Sequence, residues 1–217
     1  MTVPWEKQQI NDIQWYKASI NKNISLHLNC DYFTLIYKNY CKTLHNLKFN
    51  NALDIGISNT GGYLAIMPNS IHRRVALDPA VDMLRKINML PLRHHIWYKQ
   101  GFAEEMKHKD NEFDLVIITN TLDHVRNMEK TVKEIERILI PGGYLLFNTY
   151  LRVNNPHPFT FQSWEEARSM FKDFSILEHY EITDNRPFMK RNNCYHAVMQ
   201  SKKPVKDIPI KYENICS

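Results

Sequence analysis

Asn51-Ala-Leu-Asp-Ile-Gly-Ile-Ser-Asn-Thr-Gly-Gly-Tyr63 is the stretch that decides the fold, and it holds three of the six glycines in this 217-residue chain. Residues 52–55 have the composition of a short buried strand. The chain then turns at Gly56 and again at Gly61-Gly62, before the apolar segment 63–67. A strand, a glycine turn and the start of a helix together predict a cradle for a cofactor.

A second strand ends in an acid. Arg74-Val-Ala-Leu-Asp78 lies one strand–helix–strand unit further along the chain and places a carboxylate at the strand tip. An acid at that position typically accepts hydrogen bonds from a ribose diol. The spacing therefore favours a ligand that contains a nucleoside.

Strands and helices alternate from residue 51 onward, which predicts a parallel sheet. Strands are expected at 51–55, 74–78, 96–100, 113–119 and 143–151, and helices near 61–67, 79–89, 128–139 and 163–172. Two further strand-like runs, at 174–182 and 194–200, predict an antiparallel pair at one end of the sheet. The predicted fold class is α/β: a Rossmann-like doubly wound sheet, mostly parallel with an antiparallel strand at the C-terminal end, and helices on both faces.

The composition predicts one domain with a sizeable core, since 43% of the residues are hydrophobic. Residues 1–50 contain no glycine and many aromatics, and they predict an N-terminal helical cap or lid of two or three helices. Residues 51–203 form the predicted α/β domain. Residues 204–217, with two prolines, are expected to be a loosely packed tail.

The charge and cysteine patterns limit the kinds of partner that the chain is expected to bind. The formal net charge of +5 is scattered along the chain, so binding to nucleic acid is not expected. The four cysteines show no CxxC spacing, and neither an apolar signal core nor a stretch of membrane-spanning length occurs. We therefore expect a cytoplasmic protein without membrane or metal binding. The oligomeric state stays open, with a homo-oligomer as one alternative.

Four blocks of the chain resemble, in order, the motifs of class I S-adenosylmethionine-dependent methyltransferases of the small-molecule kind (methyltransferase type 11-like). The resemblance covers roughly residues 50 to 150. The blocks are Leu53-Asp-Ile-Gly56 with Gly61-Gly62, Val75-Ala-Leu-Asp-Pro79, the run from Gly101-Phe-Ala-Glu-Glu105 to Asn111-Glu-Phe-Asp-Leu-Val116, and Asn120-Thr-Leu-Asp-His-Val125 followed by Glu134 to Gly143. This resemblance implies S-adenosyl-L-methionine as the cofactor and a small molecule as the methyl acceptor.

The resemblance also implies which residues bind the cofactor, and the family motifs map onto positions of this chain. Asp54 orients the glycine turn or contacts the methionine amine through water, Asp78 binds the ribose hydroxyls, and Asn120 lines the pocket where methionine and acceptor meet. The full implied set is Asp54, Gly56, Ser58, Asp78, Pro79, Phe102, Ala103, Glu104 and Asn120.

Two positions depart from the family pattern. Ser58 stands where the family usually has a second glycine, and Phe102 stands where it often has an acid that binds the adenine amino group. A serine-bearing turn still presents backbone N–H groups. Phe102 is expected to stack on adenine, with the N–H of Ala103 bonding a ring nitrogen.

Methyl transfer to a hydroxyl requires a base, whereas an unprotonated amine or a carboxylate acceptor does not. His124 follows the fourth predicted strand, and His157 lies in the loop Arg152-Val-Asn-Asn-Pro-His-Pro-Phe-Thr-Phe161, which resembles a stretch that borders the acceptor in the family. Both histidines are candidate catalytic residues. The preferred acceptor is a sugar or metabolite hydroxyl, with amines and carboxylates left open.

Two other functions compete with this interpretation. Gly56-Ile-Ser-Asn-Thr-Gly61 nearly matches the G-x-G-x-x-G turn of NAD(P)-dependent oxidoreductases, although no second nucleotide-binding half follows it. A non-catalytic cofactor-binding scaffold or partner subunit is the other alternative, and the missing second glycine motivates it.

Overall fold

The computed structural model describes residues 7, 10, 11, 14, 26–57, 62–88, 90, 95–151, 159–184 and 192–204. A seven-stranded sheet in the order β3-β2-β1-β4-β5-β7-β6 forms its centre. The strands are β1 (Phe49–Ile55), β2 (Ile71–Asp78), β3 (Ile96–Gln100), β4 (Phe113–Thr119), β5 (Leu139–Tyr150), β6 (Phe174–Asp184) and β7 (Asn192–Ser201).

The first five strands pair in parallel, and β7 is antiparallel to both β5 and β6. Only β7 therefore runs against the others among the described strands. The predicted Rossmann-like sheet with one antiparallel strand at its C-terminal end is confirmed. The order reverses between β1 and β4, because β2 and β3 lie on one side of β1 and all later strands lie on the other.

Helices cover both faces of the sheet, as the sequence predicts. They are α1 (Leu26–Tyr40), α2 (Val81–Lys86), α3 (Met128–Ile138) and α4 (Trp164–Ser169). Residues of α3 and α4 join one buried cluster with Leu53, whereas Tyr37 of α1 and Leu84 of α2 join a second cluster with Ala52 on the opposite face. Because neighbours along a strand point to opposite faces, β1 contributes to both cores.

Helix α3 shows how the sequence specifies an element. The side chain of Asn127 accepts a hydrogen bond from the Lys130 N–H at 2.9 Å and caps the first turn. Val132, Ile135 and Ile138 share one helix face and are buried against the sheet. The helix ends where Leu139 adopts an extended backbone and begins β5.

Three local predictions need correction. The helix expected at 61–67 is a single 3₁₀ turn, Tyr63–Ala65, among the residues described there. Gly142 precedes the strand expected at 143–151 but lies inside β5, where it has φ +72° and the pairing with β4 is irregular. Strands β1, β2 and β5 also begin two to four residues earlier than expected, at 49, 71 and 139.

Helix α1 and the 3₁₀ helix Lys42–Leu44 lie within the predicted N-terminal cap. Most of residues 1–25 and all of the tail beyond 204 lie outside the described residues. No helix within the described ranges has the length and hydropathy needed to cross a lipid bilayer.

Candidate active site

Two acids lie at the carboxyl ends of adjacent strands. Asp54 pairs in register with Ala76 of β2 and Ile117 of β4, and Asp78 lies two residues beyond Ala76. Both acids share the face that α1 covers, since Ala52 and Ala76 belong to that core. Asp54 is 0% exposed and Asp78 is 7% exposed. The two acids predicted to bind the cofactor thus lie at the carboxyl edge of adjacent strands, beside the switch point between β1 and β4, where ligands of such folds bind.

Asp54 orients the segment after the glycine turn. Its Oδ2 accepts a hydrogen bond from the Leu64 N–H at 3.1 Å. Burial raises the pKa of Asp54 to about 7, against the effect of the Leu64 and Tyr63 N–H groups, and the nearby Asp78 raises it further. Its Oδ1 is buried and has no hydrogen-bond partner within the described residues. A buried acceptor of this kind fits a donor supplied by a ligand, such as an ammonium group.

Gly62 leaves room for the Asp54 carboxylate. At φ +68° and ψ −169°, Gly62 has a backbone conformation that is essentially confined to glycine. A Cβ at this position would lie 2.2 Å from Oδ2 of Asp54. The position of the Asp54 carboxylate therefore requires a glycine at position 62.

Gly56 has a structural role in addition to the one expected. The sequence predicts that it lets the backbone approach the cofactor. In the structure a Cβ on Gly56 would lie 2.1 Å from Oγ1 of Thr121, just after β4. The Gly56 N–H also donates to the Leu77 carbonyl at 2.8 Å. Gly56 thus allows the loops after β1 and β4 to meet, which closes the floor of the site.

Asp78 is fixed by its own loop. One carboxylate oxygen, Oδ1, accepts from the Ala80 N–H at 2.7 Å, and the half-buried Pro79 lies between them. Asp78 thereby starts the turn into α2. Such an Asx-type bond holds the carboxylate at the strand tip, where the resemblance assigns the ribose.

Side chains of the segment after β3 contact the loop before α3, which the sequence did not predict. Ala103 is buried, and the Arg126 guanidinium lies 3.9 Å from the centroid of the half-buried Phe102 ring. Glu104 Oε1 accepts from the N–H groups of Arg126 and Asn127 at 2.5 and 3.3 Å. Glu104 therefore secures the loop before α3, and Arg126 occupies one face of the ring predicted to stack on adenine.

The loop after β4 carries Asn120 and His124. Asn120 is exposed with φ +49°, and its N–H donates to the Asn148 carbonyl at 2.8 Å. His124 ends the 3₁₀ helix Leu122–His124, and its Nε2 lies 3.7 Å from Oδ2 of the buried Asp123. An imidazole beside a carboxylate is suited to take up a proton. The other candidate catalytic residue, His157, and the cofactor candidate Ser58 lie outside the described residues.

A row of polar side chains on β4, β5, β7 and β6 was not predicted from the sequence. Thr119 pairs with Asn148, Asn148 with His196, and His196 with Tyr180. Asn148 and His196 are 3% and 1% exposed. The available signal was that both interrupt otherwise apolar strands, at positions whose neighbours two residues away are Leu146 and Val198.

Residues 53–147 match the family model described as a methyltransferase domain. Among curated proteins, the chain is similar to the ubiquinone biosynthesis O-methyltransferase of Alkalilimnicola ehrlichii, with 30% identity over 125 residues that cover 54% of this chain and 48% of that protein. It is also similar to the ubiquinone/menaquinone biosynthesis C-methyltransferase UbiE of Hydrogenovibrio crunogenus, with 43% identity over 54 residues that cover 25% of this chain and 21% of that protein. The chain thus spans less than half the length of these two relatives.

Among solved structures, the fold is similar to that of the N-methyltransferase NodS from Bradyrhizobium japonicum in complex with S-adenosyl-L-homocysteine. The TM-score is 0.59 at 14% identity, and the match covers 80% of this chain and 87% of that chain. At this level of identity the likeness concerns the fold.

Proposed function

Because residues 53–147 belong to the methyltransferase-domain family and the sheet is that of class I S-adenosylmethionine-dependent methyltransferases, we propose that this protein methylates a small hydroxylated acceptor. The family predicted from the four sequence blocks is confirmed. The observation that carries the proposal is the pair of buried acids, Asp54 and Asp78, at adjoining strand tips beside the glycine turn.

The residues at this edge suit S-adenosyl-L-methionine. The buried Oδ1 of Asp54 suits the ammonium group of its methionine, and the fixed carboxylate of Asp78 suits its ribose diol. We propose that Ala103 and Phe102, which follow β3, border the adenine; Asn120 and His124 follow β4. When bound, this cofactor supplies an electrophilic methyl group on a sulfonium.

The protein's own contribution is positioning, desolvation and proton removal. Positioning of two reactants contributes at most about 7–11 kcal/mol in favourable cases. Asp54, Gly56 and Gly62 fix the floor of the site. His124 is proposed as the base that takes the acceptor's proton, and Oδ2 of its neighbour Asp123 lies 3.7 Å from its Nε2.

A hydroxyl on an aromatic ring is the acceptor we favour. The sugar hydroxyl preferred from sequence receives no support from the comparisons, whereas the two similar curated proteins are named for ubiquinone and menaquinone biosynthesis. A phenol, with a pKa of about 10, also loses its proton to an imidazole far more readily than an alkyl alcohol does.

Calorimetric titration of the protein with S-adenosylmethionine, S-adenosylhomocysteine and NAD tests the cofactor assignment. We expect similar binding of the first two and none of NAD. Asp78→Asn should weaken S-adenosylhomocysteine binding about tenfold or more, and the exposed Asp82→Asn on α2 is the matched control. Binding of NAD alone would favour an oxidoreductase and contradict the proposal.

The acceptor half is tested by transfer of radiolabelled methyl groups to 1,4-dihydroxybenzene, a methyl glycoside and histamine. We expect label in the dihydroxybenzene only. Cofactor binding without transfer to any of the three would favour the non-catalytic scaffold. Transfer to the glycoside alone would restore the sugar hydroxyl as acceptor.

A further inference from the structure

Arg74 places a cation on the face of the sheet that carries the two candidate cofactor acids. It pairs in register with Ala52 of β1 and lies two residues before Ala76, and both alanines belong to the core under α1. Because side chains alternate along a strand, Arg74 points to the same face as Asp54 and Asp78. The guanidinium is half-buried there, and burial lowers its pKa.

Two backbone carbonyls accept hydrogen bonds from the Arg74 guanidinium. Nη1 donates to the Leu64 carbonyl at 2.7 Å, and Nη2 donates to the Asn69 carbonyl at 3.0 Å. A guanidinium carries its donors in a rigid fork, so two such bonds fix both the position and the orientation of the acceptors. Arg74 therefore clamps the segment 64–69, which leads from the 3₁₀ turn Tyr63–Ala65 toward β2.

Leu64 connects this clamp to the buried acid. Its carbonyl accepts from Arg74, and its N–H donates to Oδ2 of Asp54 at 3.1 Å. The Leu64 side chain is fully buried in the core under α1. One residue thus binds Arg74 through the peptide group on one side of its Cα and Asp54 through the peptide group on the other. Movement of the Leu64 carbonyl would therefore also displace the N–H that contacts Asp54.

Asn69 anchors the other end of the segment independently of Arg74. Its side-chain amide donates to the carbonyls of Leu44 and Leu47 at 2.6 and 2.9 Å, and its Oδ1 accepts from the Tyr37 hydroxyl of α1. These bonds do not involve the guanidinium, whereas the bond to the carbonyl of residue 64 does. Loss of Arg74 should therefore loosen the segment at the end that contacts the acid.

The Leu64 N–H also acts on the charge of Asp54. Burial has the largest effect and raises the pKa of Asp54 to about 7; the N–H groups of Leu64 and Tyr63 oppose it, and the carboxylate of Asp78 on β2 raises it further. Tyr37 of α1, which packs into the same core, has a pKa that burial raises to about 12, so it stays neutral near pH 7. Loss of the Leu64 bond should therefore shift the ionisation of Asp54 to higher pH.

We propose that Arg74 is a positioning residue of the cofactor site: by holding the Leu64 and Asn69 carbonyls, it keeps the Leu64 N–H on Asp54 and so orients the carboxylate that receives the ammonium group of the cofactor. The assignment rests on the proposed function, which gives Asp54 this ligand. Oδ2 of the acid is used by Leu64, which leaves Oδ1 for the ammonium group. Arg74 acts through Leu64 and is assigned no contact with the cofactor.

The first test needs no cofactor. Urea unfolding of wild type and Arg74→Met is followed across about pH 5–9. Because the pKa of Asp54 is higher in the folded than in the unfolded protein, stability falls as pH rises until the folded pKa is reached. In wild type the contribution of Asp54 to this fall should end near pH 7. In Arg74→Met it should continue for about one further pH unit, as expected for loss of one hydrogen bond to a charged group.

An Asp54→Asn background isolates this effect. In that background the pH dependence of the difference between Arg and Met at position 74 should vanish, because the titrating group is gone. Asp54 profiles that end at the same pH in wild type and Arg74→Met would overturn the role of Arg74.

The second test measures cofactor binding. Calorimetric titration with S-adenosylhomocysteine is repeated across the same pH range, and the affinity of wild type should rise as Asp54 ionises. With a midpoint about one unit higher, the ionised fraction of Asp54 at pH 7 falls from about a half to about a tenth. Arg74→Met should therefore bind about fivefold more weakly at pH 7, with a smaller deficit at higher pH. A merely structural role predicts an equal deficit at every pH, and that result would overturn the proposal.

Arg74→Lys separates the clamp from the charge. It keeps a cation and loses the fork, so its pH midpoint should lie between those of wild type and Arg74→Met. It also covers the case in which Arg74→Met does not fold. A wild-type midpoint in Arg74→Lys would assign the effect to charge alone and would contradict the clamp.

Arg73→Met is the matched control on the same strand. Arg73 is also half-buried but points to the opposite face, where it pairs with Glu112 at 2.7 Å and lies 5.6 Å from the centroid of the Phe113 ring. This variant should lose stability and keep the wild-type pH midpoint in both measurements. A shift as large as that of Arg74→Met would show that the effect is not specific to the clamp.

Binding to wild type separates this role from the proposed function. A wild type that does not bind S-adenosylhomocysteine would refute the proposed function and, with it, the cofactor role of Arg74. Binding to wild type with an unshifted pH midpoint in Arg74→Met would overturn the role of Arg74 alone and leave the cofactor assignment standing.

Discussion

Replacement of Gly62 by Ala tests whether the glycine turn exists to accommodate the Asp54 carboxylate. Gly62 has φ +68° and ψ −169°, and a side chain there costs about 1–3 kcal/mol in backbone strain. The new Cβ would lie 2.2 Å from Oδ2 of Asp54, and such overpacking typically costs another 1–3 kcal/mol. We expect Gly62→Ala to lower the free energy of unfolding by about 2–6 kcal/mol.

Urea unfolding followed by circular dichroism measures this loss. With an m-value of about 2 kcal/mol per molar, the midpoint should fall by about 1–3 M at unchanged m. Calorimetric titration of the folded variant with S-adenosylhomocysteine measures the effect on cofactor binding, since displacement of the Asp54 carboxylate alters the candidate cofactor site.

Gly142→Ala is the matched control. Gly142 also has a positive φ, +72°, but the nearest atom to its Cβ position, Nε2 of Gln200, lies 3.9 Å away. This variant should lose only the cost of a left-handed residue, about 1–2 kcal/mol. Equal midpoints for Gly62→Ala and Gly142→Ala would refute the overlap with Asp54, and an unchanged midpoint for Gly62→Ala would refute the strain as well.

Three further predictions concern the buried acid Asp54, the candidate base His124 and the helix-capping residue Asn127. Burial raises the pKa of Asp54 from 3.8 to about 7. Between these values the folded protein holds a proton that the unfolded chain releases. The free energy of unfolding should therefore fall by up to about 4 kcal/mol as pH rises from 4 to 7. In Asp54→Asn, the urea midpoint should not fall across this pH range. A decline like that of the wild type would contradict the assignment of the effect to Asp54. His124→Ala should lower turnover of 1,4-dihydroxybenzene about 10²–10⁴-fold with S-adenosylhomocysteine affinity retained, and a full-rate variant would exclude it as the base. Asn127→Ala should lower the free energy of unfolding by about 1 kcal/mol in thermal or urea melts through loss of its bond to the Lys130 N–H, whereas Asn127→Asp should keep it.

The backbone geometry around the two candidate cofactor acids was largely predictable from sequence. The acidic tips at Asp54 and Asp78 and the glycine turn between them lie in short contiguous stretches, and each stretch fixes its own backbone. Alternating strands and helices then bring the carboxyl ends of parallel strands to one edge. The contact between Gly56 and Thr121 was not predicted, because Thr121 lies 65 positions along the chain.

The sequence by itself determined the strand–helix alternation, the glycine turn, the acids at the strand tips and, through ordered motifs, the family. These features are local, since propensity, turn chemistry and hydrophobic period act over a few residues. Only the tertiary structure decided that β7 lies between β5 and β6, and hence that Asn148 meets His196, 48 positions away. Strand order and register follow from packing across the whole sheet, so side chains that no local pattern connects become neighbours at the site.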